Sequence, residues 1–496
     1  MKSWKWEHIN DLVQSLSVNE KRYFSLMQKM NEKDKNYLRL FEAINQQLNS
    51  KQIAEKFSDT KINISYEKSY LIKMLLKSLR NFHESSSIDT IILQALIDIE
   101  ILLDKKLYVF CLAYAEYYIE LCKECELFEY HLLLLRGKRR CILRLGNSNQ
   151  YEQNISDEET EEKNCLQKLQ NLNIYKTLHQ KAHLLCTRKK GVMNDKDRKS
   201  LKEIFSDPML DNINNAHCFM AKMMFYDIKI WYYNYAENNH IKAHQYSAAK
   251  IDLLEHNSFI LKSSPLTYMS VYANHYIRTY ALQKLDELPN IIAKIDFIAN
   301  NKSQFISQDI KNEAFAHSSE KILDYCVATE NFEKGIQNFM QNKKRIRQQH
   351  FKLNAFFQMT QHYFAAYFYF HLKDYKNAIK QIKIVLDDFN PETRLVCYVC
   401  TKMMNILVQY ELGNYDLIPY LLKSTDRLLK SNSIQNSVFI LTDNLLRKII
   451  VLHSKKEIQQ HIRVYRENLK DIKDYNEIEF YKDTGLLYWA ESKVKQ

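Results

Sequence analysis

Apolar residues recur every three or four positions along almost the whole chain, which predicts amphipathic α-helices. In the first 87 residues these helices are short. Ser17-Val-Asn-Glu20 has the pattern of a capping box that opens a helix. A later helix is predicted from Tyr66 to about Phe82, and the polar stretch 84–89 then interrupts the pattern. The pattern predicts a separate helical bundle over residues 1–87.

From residue 88 onward the predicted helices are longer and come in pairs. Each pair has a short polar turn, and a large apolar residue opens the second helix. The opening residues are Leu107, Ile241, Ile291, Phe332, Tyr375, Tyr415 and Ile458. From Ile241 onward they are separated by 50, 41, 43, 40 and 43 residues. Regular spacing near 40 residues is typical of an α-solenoid of stacked helix pairs, here over residues 88–496.

The composition agrees with an all-α fold. The 496 residues include only 6 Gly and 5 Pro. Hairpins, sandwiches and glycine-rich phosphate loops need such residues at short intervals, whereas long helices do not. We therefore predict an all-α protein with a small N-terminal bundle followed by the helix-pair array.

One stretch of the array, Tyr363 to Leu386, resembles a tetratricopeptide repeat. Ala366 stands at the small position of the first helix, and Asp374-Tyr375 stands at the turn. Ala378 stands at the small position of the second helix. The stretches 407–429 and 228–254 resemble the repeat less closely and carry Ile418 and His244 at that second small position.

This resemblance implies that a protein or peptide binds along a groove lined by first-helix side chains. On the three readable repeats, the groove positions are Tyr226, Lys229 and Tyr233; Tyr363, Tyr367, Phe370 and His371; and Met403, Leu407 and Tyr410. Such a lining would suit an amphipathic or acidic peptide. The alternative is that these rings are buried between helix pairs.

The N-terminal bundle has the outline of a helix-turn-helix. Its second helix would carry Lys68, Lys73, Lys77 and Arg80, and the last three share one face that could contact phosphates. A connector of about seven residues exceeds the usual three or four. A solvated lysine face gives the same pattern, and the net charge of +12 is dispersed along the chain. Nucleic-acid binding is therefore an alternative that we do not favour.

The sequence lacks the common catalytic motifs. It has no G-x-x-x-x-G-K-S/T, G-x-S-x-G or H-E-x-x-H pattern. Cys122/Cys125 and Cys397/Cys400 have the spacing of zinc knuckles but lie within helical patterns, where buried thiols pack as small apolar groups. His240 and His244 could ligate a metal from one helix face, but His244 falls at a packing position. We expect no catalytic site, metal or cofactor.

Two charged segments are predicted to be exposed to solvent. The acidic run 157–162 follows Ser156 and has the pattern of a capped helix start, with a partner-binding role as the alternative. The basic clusters 136–140 and 343–347 are predicted near helix ends, where cations are favoured.

These features predict a non-catalytic, cytoplasmic interaction or regulatory protein that binds a protein or peptide. The ten scattered cysteines favour a reducing compartment, and we expect neither a secretory signal nor a membrane segment. The alternative is a transcriptional regulator whose bundle binds DNA. The segments 15–24 and 35–41 look like uncharacterised helical-repeat proteins of the Bacteroidota, a resemblance that implies no activity. Partner identity and oligomeric state stay open.

Overall fold

In the computed structural model the chain is all-α. The structure describes residues 5–29, 36–49, 52, 53, 55, 57, 63–84, 87–145, 148–187, 195–257, 259–303, 306–432, 434, 436–473 and 475–494. None of these residues forms a β-strand. Among the helices they form, none combines the length and apolar character needed to cross a bilayer.

The chain divides into two compact units at residue 171. The division falls inside a long helix, α8. The helices up to this point are α1 (Trp6–Ser15), α2 (Val18–Lys29), α3 (Asn36–Asn45), α4 (Ile64–Phe82), α5 (Ile88–Asp104), α6 (Tyr108–Glu124), α7 (Phe128–Leu145) and α8 (Ser148–Thr187).

The first unit contains two hydrophobic cores, one from α1–α4 and one from α5–α7. The predicted capping box opens α2: the Ser17 N–H donates to Glu20 at 2.6 Å, and the Glu20 N–H donates to Ser17 Oγ at 3.3 Å. The side chain of Asn63 caps α4. The predicted domain boundary at residue 87 lies between the two cores, whereas the compact units divide at residue 171, so that boundary stays a prediction.

The second unit is a solenoid-like stack in which consecutive helices pack against each other. The first helices of successive pairs, α13, α15, α17 and α19, also contact one another. The helices of this unit are α9 (Asp195–Phe205), α10 (Phe219–Trp231), α11 (His240–Glu255), α12 (Ile260–Ser263), α13 (Pro265–Ala281), α14 (Leu288–Ala299), α15 (Gln308–Ala328), α16 (Phe332–Gln349), α17 (Ala355–His371), α18 (Tyr375–Asp388), α19 (Leu395–Glu411), α20 (Ile418–Ser431), α21 (Ser437–Ile449), α22 (Lys455–Lys470), α23 (Tyr475–Asp483) and α24 (Leu486–Val494).

The same turn joins many of the helix pairs. Two residues after the first helix ends, one residue takes the left-handed conformation, and the next residue bonds back into the helix, as the Asp374 N–H does to the Tyr369 carbonyl at 2.9 Å. The left-handed residues are Lys106, Glu126, Asn238, Gln283, Glu330, Lys373 and Gly413, with φ between 50° and 75°. From Asn238 to Gly413 they recur after 45, 47, 43 and 40 residues. The scarcity of glycine therefore does not remove left-handed turns, because long polar residues adopt them.

Three sequence-based boundaries differ from the structure. Helix α8 begins at Ser148, so Ser156 lies inside a helix and does not cap one. Ile291 and Ile458 lie inside α14 and α22, because those helices begin three residues earlier. By contrast, the predicted turns at Asp374-Tyr375 and at Gly413 are confirmed.

Candidate functional site: a helical groove and the hairpin that fills it

The predicted partner-binding residues of α17 all lie inside the protein. Tyr363, Tyr367, Phe370 and His371 are 8%, 7%, 4% and 4% exposed. Their spacing places them along one stripe of the helix. This stripe contacts the segment formed by α23 and α24, residues 475–494, which we call the hairpin. The aromatic stripe is thus covered by the chain itself.

The predicted residues of α19 are buried as well. Met403 and Leu407 are fully buried in the core that neighbouring helices share. Tyr410 is nearly buried, and its ring packs edge-on against Trp489 of the hairpin with centroids 5.6 Å apart. Met403 and Leu407 therefore act as packing residues, and Tyr410 contacts the hairpin. We call the surface formed by the α17 stripe, Tyr410 and the adjacent Glu411 the groove.

The predicted residues Tyr226 and Lys229 of α10, and Tyr233 in the π-helical turn Tyr232–Ala236 that follows it, belong to a different aromatic cluster. The Lys229 ammonium is buried 4.1 Å from the centroid of the Phe205 ring, and burial lowers its pKa. Tyr233 stacks on Tyr246 at 5.4 Å, and Tyr226 lies near the same ring at 6.4 Å. In the structure, Lys229 therefore does not contribute an exposed positive charge to a binding surface.

Two tyrosines of the groove hold the end of α23. The Tyr363 hydroxyl donates to the Asp483 carbonyl at 2.7 Å, and the Tyr367 hydroxyl donates to the Lys482 carbonyl at 3.3 Å. The last carbonyls of a helix have no partner within the helix, so these hydroxyls satisfy them. Burial raises the pKa of both phenols, which keeps them protonated as donors.

The turn of the hairpin fits closely against α17 at Gly485. Its φ of +71° favours glycine, and a Cβ there would lie 3.0 Å from His371 Nε2. The His371 ring lies between the rings of Phe332, at 4.4 Å, and Tyr488, at 4.1 Å. Neither nitrogen of this ring has a hydrogen-bond partner within the described part of the chain. Burial lowers the pKa of His371 to about 3, so the ring is neutral.

A buried carboxylate anchors α24 at the far end of the groove. The Trp489 indole N–H donates to Glu411 Oε1 at 2.7 Å, and the Lys493 ammonium donates to Oε2 at 2.8 Å. The Tyr375 hydroxyl also donates to Oε2, at 3.3 Å. The Glu411 side chain is 9% exposed, and charge-assisted hydrogen bonds of this kind are the stronger ones.

The groove therefore recognises a helix by three kinds of chemistry. Tyrosine hydroxyls bind the carbonyl end of one helix, a ring cluster receives Tyr488, and Glu411 receives an indole and a cation four residues apart. At the edge, Lys470 pairs with Glu491 at 3.5 Å. This arrangement positions a helical hairpin.

The N-terminal cations divide into two groups. Lys73, Lys77 and Arg80 lie exposed on α4, whereas Lys68 is half-buried with its ammonium 5.2 Å from the Trp6 ring centroid. Lys68 therefore does not join the exposed row. The connector 58–62 of the predicted helix-turn-helix lies outside the described residues.

The acidic run of α8 packs against the basic cluster of α7. Arg139 pairs with Glu162 at 2.7 Å and with the buried Glu158 at 3.6 Å. Lys138 lies 3.9 Å from Glu158, and Arg140 pairs with Glu100. Arg139 and Lys138 thus pair with part of the acidic run within the first unit, while Asp157 and Glu159 of that run lie exposed, as the solvated interpretation predicts.

The second basic cluster borders an open cavity of about 560 Å³ in the second unit. Lys343 and Arg347 of α16 stand at this cavity, and Phe339, Phe351 and Leu353 supply apolar lining.

All ten cysteines are buried and unbridged, as the helical interpretation of the Cys-x-x-Cys pairs predicts. Burial raises the pKa of both Cys122 and Cys397 to about 12.

Sequence reasoning missed Glu411 and the whole hairpin. The sequence does contain a signal, because Trp489 and Lys493 are four residues apart and share one helix face. That spacing, however, does not reveal the carboxylate that receives them, which is about 80 residues away in the chain.

No protein-family model matches the chain, and none of the curated proteins matches it.

Proposed function

We propose that this chain is a non-catalytic binding protein whose tetratricopeptide-like array holds an amphipathic helical segment of a protein partner in the groove. The observation that carries the proposal is the occupied groove itself, which already accommodates two helices of this chain through specific contacts. Helix-in-groove recognition is a common mode of peptide binding. A cytoplasmic location is part of the proposal, supported by ten cysteines that are all unbridged.

The groove specifies the chemistry of the partner helix. Glu411 is a buried acceptor of an indole N–H and an ammonium, so it favours a helix with an aromatic donor followed four residues later by Lys or Arg. An acidic helix would place like charge against a desolvated carboxylate, which is costly. Of the two peptide classes that the sequence suggests, the proposal therefore selects the amphipathic one with a cation.

A partner must compete with the hairpin. A tethered segment has an effective concentration of about a millimolar, so an external helix binds only when it is tighter or when the hairpin is weakened. Trp489 is 2% exposed and anchors α24, and truncating such a side chain costs about 3–5 kcal/mol. Trp489→Ala is therefore the variant that opens the groove while leaving its walls intact.

The experiment compares full-length Trp489→Ala and Glu411→Ala proteins in binding a fluorescent synthetic peptide of residues 475–494. Both changes weaken hairpin docking, but only Trp489→Ala retains the groove carboxylate. We expect the peptide to bind Trp489→Ala at least about tenfold more tightly than it binds Glu411→Ala, given about 1.5–3 kcal/mol for a hydrogen bond to a charged group. Circular dichroism verifies that both variants are folded. Equal binding to the two variants would contradict the proposed role of the groove.

The exposed row of Lys73, Lys77 and Arg80 supports a second candidate, a DNA-binding regulator. It predicts that the full-length protein shifts duplex DNA in a salt-dependent way and that Lys73→Glu with Lys77→Glu weakens the shift. Retention of the same shift in the double variant would count against this candidate.

A further inference from the structure

Two histidines and a glutamate converge in the second unit, far along the chain from the hairpin. His244 lies on α11, His275 lies on α13, and Glu287 lies in the 3-10 turn that follows α13. One donor atom from each of the three lies within 4.8 Å of the other two. His244 Nε2 is 3.7 Å from Glu287 Oε2, and the two imidazole centroids are 5.0 Å apart. The three side chains thus surround one small space.

The two imidazoles are buried, and burial disfavours their charged forms. His244 and His275 are 6% and 7% exposed. Burial lowers the pKa of His275 to about 4, with the neighbouring His244 adding to the effect. Burial also lowers the pKa of His244, and the charge of Lys284 acts in the same direction. Neutral imidazole is the form of histidine that binds metal.

Two of the three side chains, His275 and Glu287, also have an outer polar contact. His275 Nδ1 lies 3.0 Å from Ser247 Oγ, which leaves Nε2 for a ligand. His244 Nε2, the nitrogen nearest to Glu287, also lies 3.3 Å from Thr279 Oγ1, so a bound metal would displace this hydroxyl contact. Lys284 donates to Glu287 Oε1 at 3.2 Å, while Oε2 is the oxygen nearer to His244. Contacts of this type orient metal ligands in proteins.

His244 stands at a position where the repeat-like pattern has a small residue. It occupies the helix position at which the repeat-like stretch of α18 carries the fully buried Ala378. A large polar ring at this position meets a second buried imidazole from the adjacent helix pair. The pair His244 and His275 is thus formed by packing between residues far apart in the chain. In the i,i+4 pair that the sequence suggests, His240 and His244, the first residue is exposed.

We propose that His244, His275 and Glu287 bind one zinc ion, with the fourth position open to water or an external donor. Zinc prefers four nitrogen, oxygen or sulfur ligands at about 2.0–2.1 Å, so a tetrahedral site needs donors about 3.4 Å apart. Closing the present separations, of up to 4.8 Å, to that value requires the donor atoms to approach each other by at most about 1.4 Å. The ion would link the α10/α11 pair to the α13/α14 pair.

The donor set of two imidazoles and one carboxylate specifies the class of metal. Lys284 pairs with Glu287, and the charge of Arg278 also acts on both imidazoles. Hard cations such as Mg²⁺ and Ca²⁺ depend on several anionic oxygen ligands. Imidazole-rich sites instead suit zinc and the other late first-row ions. The site should therefore bind Zn²⁺ and Co²⁺ but not Mg²⁺ or Ca²⁺.

The test is a Co²⁺ titration of the EDTA-treated full-length protein, followed by Zn²⁺ displacement. We expect one equivalent of Co²⁺ to produce the visible absorption of a tetrahedral nitrogen and oxygen site, and Zn²⁺ to abolish it. Glu287→Gln and His275→Gln should lose this absorption. Ser247→Ala, which removes an outer contact, should weaken Co²⁺ binding about 10–100-fold.

The matched control is His240→Ala, which changes the exposed histidine of the same helix and should retain the full absorption. Glu287 lies in a surface turn, so its variant keeps the test valid if a histidine variant fails to fold. The proposal is overturned if wild type shows no tetrahedral Co²⁺ absorption. It is also overturned if Glu287→Gln and His275→Gln retain the absorption undiminished.

Discussion

At the scale of single residues, the fold depends on backbone conformations that the side chains do not favour. Six helix-pair turns place Lys, Glu, Asn or Gln in the left-handed region, where a Cβ crowds the backbone. In a seventh such turn, Gly413 adopts the left-handed conformation without strain. Its φ is +75°, and no atom lies within 4 Å of the position that a Cβ would take. These turns therefore differ in strain while sharing one geometry.

Exchanging residues at these turns should change stability in opposite directions. Lys373→Gly relieves the left-handed strain and should stabilise the protein by up to about 1 kcal/mol, whereas Gly413→Ala should cost about 1 kcal/mol. Lys383→Gly, an exposed position in the middle of α18, is the matched control and should cost about 1 kcal/mol. Urea unfolding measures all three. A loss of stability in Lys373→Gly would contradict this interpretation.

His371 makes stability depend on pH. The pKa of its buried ring is lowered to about 3 from the ordinary 6.5, so below pH 6.5 the unfolded chain binds a proton that the folded protein does not. The contribution of the neutral His371 ring to the free energy of unfolding is complete above pH 6.5 and is lost as the pH falls toward 3. Between pH 6.5 and 5 the loss is about 2 kcal/mol.

The measurement compares urea unfolding of wild type and His371→Leu at pH 7 and pH 5. The variant should lose about 2 kcal/mol less stability over this interval. His275, whose pKa is also lowered, is present in both proteins and cancels in the comparison. An identical pH dependence in the two proteins would show that the His371 ring does not carry the effect.

At the scale of the elements, helix packing depends on small residues at close contacts. A Cβ on Gly335 of α16 would lie 2.7 Å from the ring of Phe368 in α17, and that ring is fully buried. The helices approach closely only because position 335 has no side chain. The closeness of this contact could not be read from the sequence, which shows only an isolated glycine in a helical pattern.

Gly335→Ala should therefore destabilise the protein by about 1–3 kcal/mol through overpacking. Phe368→Leu should recover part of that loss in the double variant, because the two sites are in contact. A double-mutant cycle in urea tests this coupling. Strict additivity of the two changes would indicate that the ring is not the obstacle.

The sequence predicts local features better than distant ones. The Ser17–Glu20 capping box and the turn at Asp374 depend on residues within a few positions, and both are found. The cover of the groove depends on Tyr363 meeting Asp483, which is 120 residues away. Helical periodicity identifies an apolar face but not the element that packs on it, so the buried state of the predicted binding residues could not be deduced.

At the scale of the second unit, the helix stack provides the groove and the hairpin occupies it. The hairpin is held at its turn by His371 and at its far end by Glu411. Packing of the hairpin on α17 removes the apolar stripe of that helix from water. The additional feature here is specific polar recognition of α24, which is what an external helix would reproduce.

The central claim is that an external helix and α24 compete for one groove. Hydrogen exchange of the full-length wild-type protein, isotopically labelled to distinguish it from the peptide, with and without saturating peptide 475–494, tests it most directly, because its hairpin starts docked. We predict that the peptide accelerates exchange of the protein's own residues 486–494 while α17 and α19 stay protected. Unchanged exchange at 486–494 under saturating peptide would contradict the account.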